Sequence, residues 1–267
     1  MKILVTGATA NVGRMVVDEL ITLGATDIRA LTVDPAKAAL PSGVEVVRGF
    51  VGRPATLLPA LQGVDVMYLA PHIPTVHEAC RLAAEAGVGR IVDLAGAKGD
   101  HWQEIEDGVE ASGVPFTHLE PGEFMANATL WADQIRAGDD VRDGYAASAN
   151  AAIAQEDIAA VAARVIVEPG HEGKAYELTG PESLTRREKV EAIGRALGRN
   201  LRYLELSHDD AVDQLRPVMG EYAEWYLEGV ALLAEHPQPA VPTVADLLGH
   251  PATTYEKWAR THAALFR

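Results

Sequence analysis

The chain has 267 residues, 48% of them apolar, and 38 acidic against 23 basic side chains leave a net charge of −15. That size and apolar content suit one large α/β domain or a domain with a modest lobe, and the acidic balance opposes nucleic acid and anionic membrane surfaces as partners. A single cysteine, Cys80, rules out an internal disulfide, and with no apolar run as long as a membrane span and no secretory leader before the first strand, a cytoplasmic location is expected.

Lys2-Ile3-Leu4-Val5 is a short apolar run of the kind a buried parallel strand needs. It leads straight into Thr6-Gly7-Ala8-Thr9-Ala10-Asn11-Val12-Gly13-Arg14. Gly7 permits a tight turn, and Gly13 lets a helix over Asn11–Leu23 pack close to the sheet. Backbone N–H groups at the start of that helix make a seat for a pyrophosphate. Gly7, Thr9, Ala10, Asn11, Val12, Gly13 and Arg14 are therefore candidate cofactor contacts, although Ala10 stands where a middle glycine is usual. Further strands are expected over Ile28–Thr32, Val44–Arg48, Val64–Leu69, Arg90–Leu94 and Phe116–Glu120. Helices are expected between them over Pro35–Leu40, Pro54–Leu61, Pro74–Ala86 and His101–Ala111, with Gly63, Gly87 and Gly113 at helix ends. This alternation predicts an α/β fold, a doubly wound parallel sheet with right-handed crossovers.

After Pro121 the rhythm changes. Helices are expected over Phe124–Ala137 and Asp157–Val167, a late strand over Ala175–Leu178 and another over Leu201–Leu206, with helix from there to the C-terminus. Thr185-Arg186-Arg187-Glu188 is a capping box that opens a helix to Leu197. The division expected is a dinucleotide-binding domain over residues 1–136 and a smaller, mainly helical substrate lobe over 137–267 that returns segments to the main sheet.

Ligands of open parallel sheets gather beyond the carboxyl ends of the strands. Those ends carry residues 6–13, Ala70-Pro71-His72-Ile73-Pro74, residues 95–102 and residues 121–127. Ala70 and Pro71 join the candidate cofactor contacts. Lys98, Trp102, Phe124, Met125 and Asn127 form a candidate substrate pocket whose walls suit a small apolar or aromatic molecule. His72 titrates where a general acid/base must, yet an imidazole fixed between two prolines has the same sequence signature. His101 reads either as a proton donor or as a helix-start residue. Lys98 anchors a ribose or phosphate, or is a solvated loop lysine. Asp93 falls inside an apolar strand, where a charge needs a partner; His118 and Glu120 lie on the neighbouring strand, and Asp93, His118, Glu120 and His72 are the acid/base candidates of a redox-neutral reaction. An Asp93–His118 pair is either structural or a proton-transfer couple. Tyr-x-x-x-Lys, G-x-S-x-G, G-x-x-x-x-G-K-[ST] and H-E-x-x-H are all absent, and the nine histidines lack metal-ligand spacing, so no metal is expected.

Four stretches together carry a family resemblance: the 6–14 turn, Pro115-Phe116-Thr117 leading into Glu120-Pro121-Gly122-Glu123-Phe124-Met125-Ala126-Asn127, Asp157-Ile158-Ala159-Ala160-Val161-Ala162, and Tyr176-Glu177-Leu178-Thr179-Gly180-Pro181. In this order they resemble the NmrA-like atypical short-chain dehydrogenase/reductases, across almost the whole chain. The resemblance implies a Rossmann domain that binds NADP or NAD, a small C-terminal substrate lobe and no fixed catalytic tetrad. It also implies either an NAD(P)H oxidoreductase of triphenylmethane-reductase or quinone-reductase character, or a redox sensor that binds dinucleotide without turnover.

The sequence departs from the family at the cofactor site. Val33 stands where an arginine usually meets the adenosine 2′-phosphate, with Lys37 and Arg14 as the nearby cations. Gly49-Phe50-Val51 replaces the usual Gly-Asp-Leu, Ala95 and Gly96 replace serines, and Glu120 replaces the arginine before Pro-Gly. Three functions follow: an NAD(P)H-dependent reductase of an aromatic, quinone-like or enone molecule, a redox-neutral cyclase, dehydratase or isomerase on the same fold, and a non-catalytic dinucleotide sensor.

Overall fold

The computed structural model describes residues 1–96, 99 and 101–267. In chain order the strands are β1 (Ile3–Val5), β2 (Ile28–Thr32), β3 (Glu45–Arg48), β4 (Val66–Leu69), β5 (Arg90–Leu94), β6 (Phe116–Pro121), β7 (Asp140–Gly144), β8 (Ala149–Asn150), β9 (Lys174–Leu178), β10 (Leu184–Thr185) and β11 (Arg202–Leu206). The α-helices are α1 (Asn11–Thr22), α2 (Leu58–Leu61), α3 (Val76–Glu85), α4 (Gln103–Ala111), α5 (Ala132–Ala137), α6 (Gln155–Val167), α7 (Arg186–Leu197), α8 (His208–Met219), α9 (Tyr222–Glu235), α10 (Thr243–Leu248) and α11 (Tyr255–Thr261). They form two compact units. One comprises Met1–Pro121, Gln155–Leu178 and Thr243–His250, the other Gly122–Ala154, Thr179–Pro242 and Pro251–Arg267.

The first unit holds a seven-stranded sheet in the order β3-β2-β1-β4-β5-β6-β9, all of its pairs parallel. The order reverses at β1, which lies between β2 and β4, and this creates the topological switch point. The inner strands are continuous apolar runs because helices cover both faces. α1 and α6 pack together, while α2, α3 and α4 share a core built from Leu4, Leu31, Met67, Leu69, Ile91 and Ile105. Arg29 is a charge inside buried β2, and its guanidinium is met by Glu45 at 2.9 Å and by the carbonyls of Ala60 and Gln62 at 2.7 and 2.8 Å.

The second unit contains two small sheets, a parallel β7–β11 pair and an antiparallel β8–β10 pair. Its core is aromatic, with Trp131, Tyr203, Tyr255, Trp258 and Phe266 packed against Ile135, Val141, Val190 and Ile193. α8 and α9 pack on each other around Ala211, Leu215, Ala223 and Leu227. The capping box opens α7: the Thr185 hydroxyl accepts from the Glu188 N–H at 3.1 Å, and Glu188 accepts from the Thr185 N–H at 2.8 Å.

Several expected elements differ. The helices expected over 35–40 and 54–61 are single turns, Pro35–Lys37 and Pro54–Thr56, the latter followed by four-residue α2. Proline at the first helical position starts each turn. Ala39 at φ 46° and Pro41 then end the first, and Gly63 at φ 68° ends the second stretch. Residues 124–137 divide into a tight helix, Met125–Trp131, and short α5. β7, β8 and β10 were not expected. Asp140-Val-Arg-Asp-Gly reads as a loop by strand propensity, but its backbone pairs along the whole of β11.

Candidate functional site

At the carboxyl end of β1 the chain folds back tightly. Gly7 has φ +59°, a region that penalises residues with a Cβ, and a Cβ there would lie 2.9 Å from that of Ala70. At Gly13 an added Cβ would stand 2.2 Å from the Gly7 carbonyl oxygen and 2.8 Å from its carbon. Only a hydrogen fits between the first turn of α1 and the strand exit. Ala10 is the N-cap of α1 and supplies no side-chain cap, and the first turn carries no acid. The N–H groups of Asn11, Val12 and Gly13, with the positive end of a 12-residue helix, are therefore open to an anion.

The turn is braced on both sides. The Thr9 and Thr32 hydroxyls are 3.0 Å apart, tying the turn to the end of β2. Thr6 Oγ1 donates to the Tyr68 carbonyl at 3.0 Å and accepts from the Ala70 N–H at 2.8 Å, which sets Ala70 and Pro71 beside Gly7. Val33, just past β2, is 63% exposed. The two expected cations nearby are differently employed. Arg14 binds Asp18 at 3.0 Å and the Ala39 carbonyl at 2.8 Å, whereas Lys37 is 86% exposed and 3.5 Å from Asp34.

His72 lies in the loop after β4. Its Nδ1 is 2.8 Å from the Thr75 hydroxyl, which donates to the Val51 carbonyl at 2.9 Å, and its ring meets Phe50 edge-on. These contacts tie the imidazole to the loop after β3 as well as to its own. His101 is exposed, with its ring centroid 5.7 Å from that of Trp102. The Trp102 indole covers Gly96 at the exit of β5, where a Cβ would be 2.5 Å from Trp102 Cδ1. Lys98 lies outside the described residues.

Asp93 and His118 occupy paired positions on β5 and β6, and His118 Nδ1 is 2.7 Å from Asp93 Oδ2. Both are fully enclosed, and Phe116 stacks on the His118 ring at 4.2 Å. Burial pushes the Asp93 carboxyl up to about 6, against the pull of His118. Burial works to lower His118, but the hydrogen bond and charge of Asp93 outweigh it and raise it. Two acids of α4 face the pair: Glu110 lies 3.5 Å from His118 Nε2, and Glu106 is raised by burial and by Glu120 beside it. The cluster thus combines Asp93 and His118 with Glu106, Glu110 and Glu120.

Within the second unit, Phe124, Met125 and Asn127 line one small cavity with Glu123, Trp131, Arg186, Lys189, Tyr226 and Tyr255. The polar members are cross-linked. Arg186 forms a buried ion pair with Asp143, stacks on Trp131 and donates to the Tyr203 hydroxyl at 3.3 Å. Lys189 donates to Glu123 at 2.8 Å and to Asn150. Burial opposes ionisation of Glu123, but Lys189 overcomes it and holds the carboxyl down at about 2. None of Arg186, Lys189 or Tyr226 was expected from sequence. The available signal was the capping box itself, since it fixes the α7 start and so places Arg186 and Lys189, three residues apart, on one face.

The NmrA-like family model matches residues 1–239. The chain is 38% identical to the (4-alkanoyl-5-oxo-2,5-dihydrofuran-3-yl)methyl phosphate reductase of Streptomyces griseus, over 99% of both chains. It is 31% identical to the NAD(P)H azoreductase of Xenophilus azovorans, again over 99% of both. The structure of the Escherichia coli NADPH-dependent quinone oxidoreductase complexed with NADPH matches at a TM-score of 0.88 and 28% identity, covering 98% of this chain and 99% of that one. With its glycine turn, its parallel sheet and these relatives, the chain belongs to the NmrA-like family.

Proposed function

We propose that the protein is an NAD(P)H-dependent oxidoreductase that reduces an aromatic, quinone-like or enone small molecule. The observation that carries this is the Gly7–Gly13 contact, which leaves an uncapped helix N-terminus at the switch point of a parallel sheet. The relatives' substrates support it, because an azo dye, a quinone and an unsaturated lactone all carry a conjugated double bond that accepts hydride.

The residues present fit a dinucleotide, since the first turn of α1 has neither a side-chain cap nor an acid, and Gly13 lets that turn sit directly against the exit of β1. When bound, the reduced nicotinamide supplies the hydride. The α1 N–H groups would hold the pyrophosphate, with the Thr9–Thr32 contact keeping the turn in place, and exposed Val33 would face the adenosine. Trp102 shields the exit of β5 from water. His101, exposed at the same strand end, and solvent are the proton sources the geometry favours. His72 ties the loop after β4 to the loop after β3, and the Asp93–His118 pair acts structurally.

Steady-state assays with NADPH and NADH test the proposal against menadione, an azo dye and an alkanoyl butenolide. Turnover of at least one conjugated acceptor is expected, and absence of turnover with all three refutes it. Because Val33 cannot pair with a 2′-phosphate, NADPH and NADH should bind within about tenfold of each other. Val33→Arg should favour NADPH by roughly tenfold, equivalent to about 1–2 kcal/mol for an exposed charge-assisted pair. A wild-type preference for NADPH of a hundredfold by calorimetry would show that Lys37 or Arg14 already fills this role.

A further inference from the structure

The polar lining of the second unit's cavity has hydrogen-bonding capacity left over, and it points inward. Glu123 Oε2 is taken by Lys189 at 2.8 Å and by Asn150 Nδ2 at 2.9 Å. Its other oxygen, Oε1, has among the described residues only the Tyr226 hydroxyl at 3.4 Å. That hydroxyl receives Arg186 Nη1 at 3.5 Å. Both contacts sit at the outer limit for a hydrogen bond, where little of the attraction survives. An acceptor, a hydroxyl and a guanidinium N–H thus converge on a space of about 10 Å³, which holds roughly one water-sized group. Phe124, Met125, Trp131 and Tyr255 are among the apolar and aromatic walls, and Asn127 lines the cavity from a solvent-exposed position.

The charges decide which group fits. Arg186 is committed to Asp143 and Lys189 to Glu123, so the two cations of the lining are each neutralised by a carboxylate. A phosphate or carboxylate entering here would meet the Glu123 carboxylate without a free cation to offset it. A carbonyl oxygen could accept from Tyr226 but would offer Glu123 nothing. A hydroxyl satisfies both, donating to Glu123 Oε1 and accepting from Tyr226 or Arg186. Tyr226 itself stays neutral, since burial and then Glu123 push its phenol up to about 12.

We propose that Glu123 and Tyr226 form a subsite for one uncharged hydroxyl group on an otherwise apolar or aromatic substrate, and that this subsite rejects anionic substituents. The inference deepens the reductase proposal and rests on it for the ligand being a substrate.

Binding, measured apart from turnover, tests it. The full chain loaded with NADP⁺ is titrated calorimetrically with benzyl alcohol, ethylbenzene and benzoate. Benzyl alcohol should bind about tenfold more tightly than either of the others, as one extra neutral hydrogen bond allows. Tyr226→Phe removes the donor without touching Lys189, and Glu123→Gln keeps the shape while removing the charge. Each should erase most of the alcohol's advantage, and Glu123→Gln should also improve benzoate. Equal affinities, tightest binding by benzoate, an alcohol preference that survives both variants, or no binding of any probe at millimolar concentration would each overturn the subsite. Failure to oxidise NADPH with the alcohol preference intact would instead count against the reductase proposal alone.

Discussion

Gly13→Ala should weaken dinucleotide binding severely and lower stability. The added methyl would sit 2.2 Å from the Gly7 carbonyl oxygen and 3.2 Å from that of Thr6, both backbone atoms that cannot rotate away. α1 must therefore move off the strand exit, and its N–H groups leave the position a pyrophosphate requires. Overpacking of this kind costs roughly 1–3 kcal/mol in stability. The affinity for NADPH should fall by at least about a hundredfold, or ~2.7 kcal/mol. Calorimetry and urea unfolding measure the two losses. Gly24→Ala is the control: Gly24 has φ +85°, but a Cβ there meets nothing within 4 Å. That variant should lose about 1 kcal/mol of stability and keep its affinity. NADPH binding unchanged in Gly13→Ala would mean that the cofactor does not use this turn.

His118→Ala should be the most destabilising substitution in the first unit, and its cost should depend on pH. The change opens a void beside Phe116 and leaves Asp93, fully buried, without its His118 hydrogen bond. Stranding a buried carboxylate costs on the order of 3–5 kcal/mol. In the wild type, Asp93 is raised to about 6, and His118 and Glu106 are raised as well. Groups raised on folding stabilise fully below their unfolded values, and this contribution fades as pH climbs through their folded values. Asp93 therefore contributes on the order of 2–3 kcal/mol near pH 4 that is gone near pH 6, and His118 extends the decline above about pH 6.5. Glu123, lowered to about 2, acts oppositely, and its contribution is lost only as the pH falls below about 4. Between pH 5 and 8 wild-type stability should thus decline. In His118→Ala the lone carboxylate takes up a proton more readily, so the penalty should be larger at pH 8 than at pH 5. Urea midpoints at both pH values check this, and a penalty independent of pH would show that Asp93 is not charged in the native pair.

The first unit was largely readable because its signals are local. Apolar runs ending in glycine turns mark the parallel strands, and the Gly7 and Gly13 spacing shows where backbone must approach backbone. Asp93 and His118 could be paired from sequence because adjacent parallel strands place them in register. The second unit was less readable because its organising contacts span the chain. Arg186 meets a carboxylate 43 residues away and Lys189 one 66 residues away, so from sequence α7 looks like a solvated charged helix. β7 was missed for the same reason. Its polar residues acquire a strand's hydrogen bonds only from β11, some 60 residues later.

The central claim, that this chain moves a hydride from a nicotinamide to a conjugated acceptor, is tested most directly in a single turnover. Protein mixed with NADPH, deuterated at C4 on one face or the other, is rapidly combined with menadione, and the loss of dihydronicotinamide absorbance is followed. Oxidation within the enzyme complex is expected, slowed by deuterium on one face and unaffected by deuterium on the other. NADPH that binds tightly but persists unoxidised with menadione, an azo dye and a butenolide in turn would contradict the account.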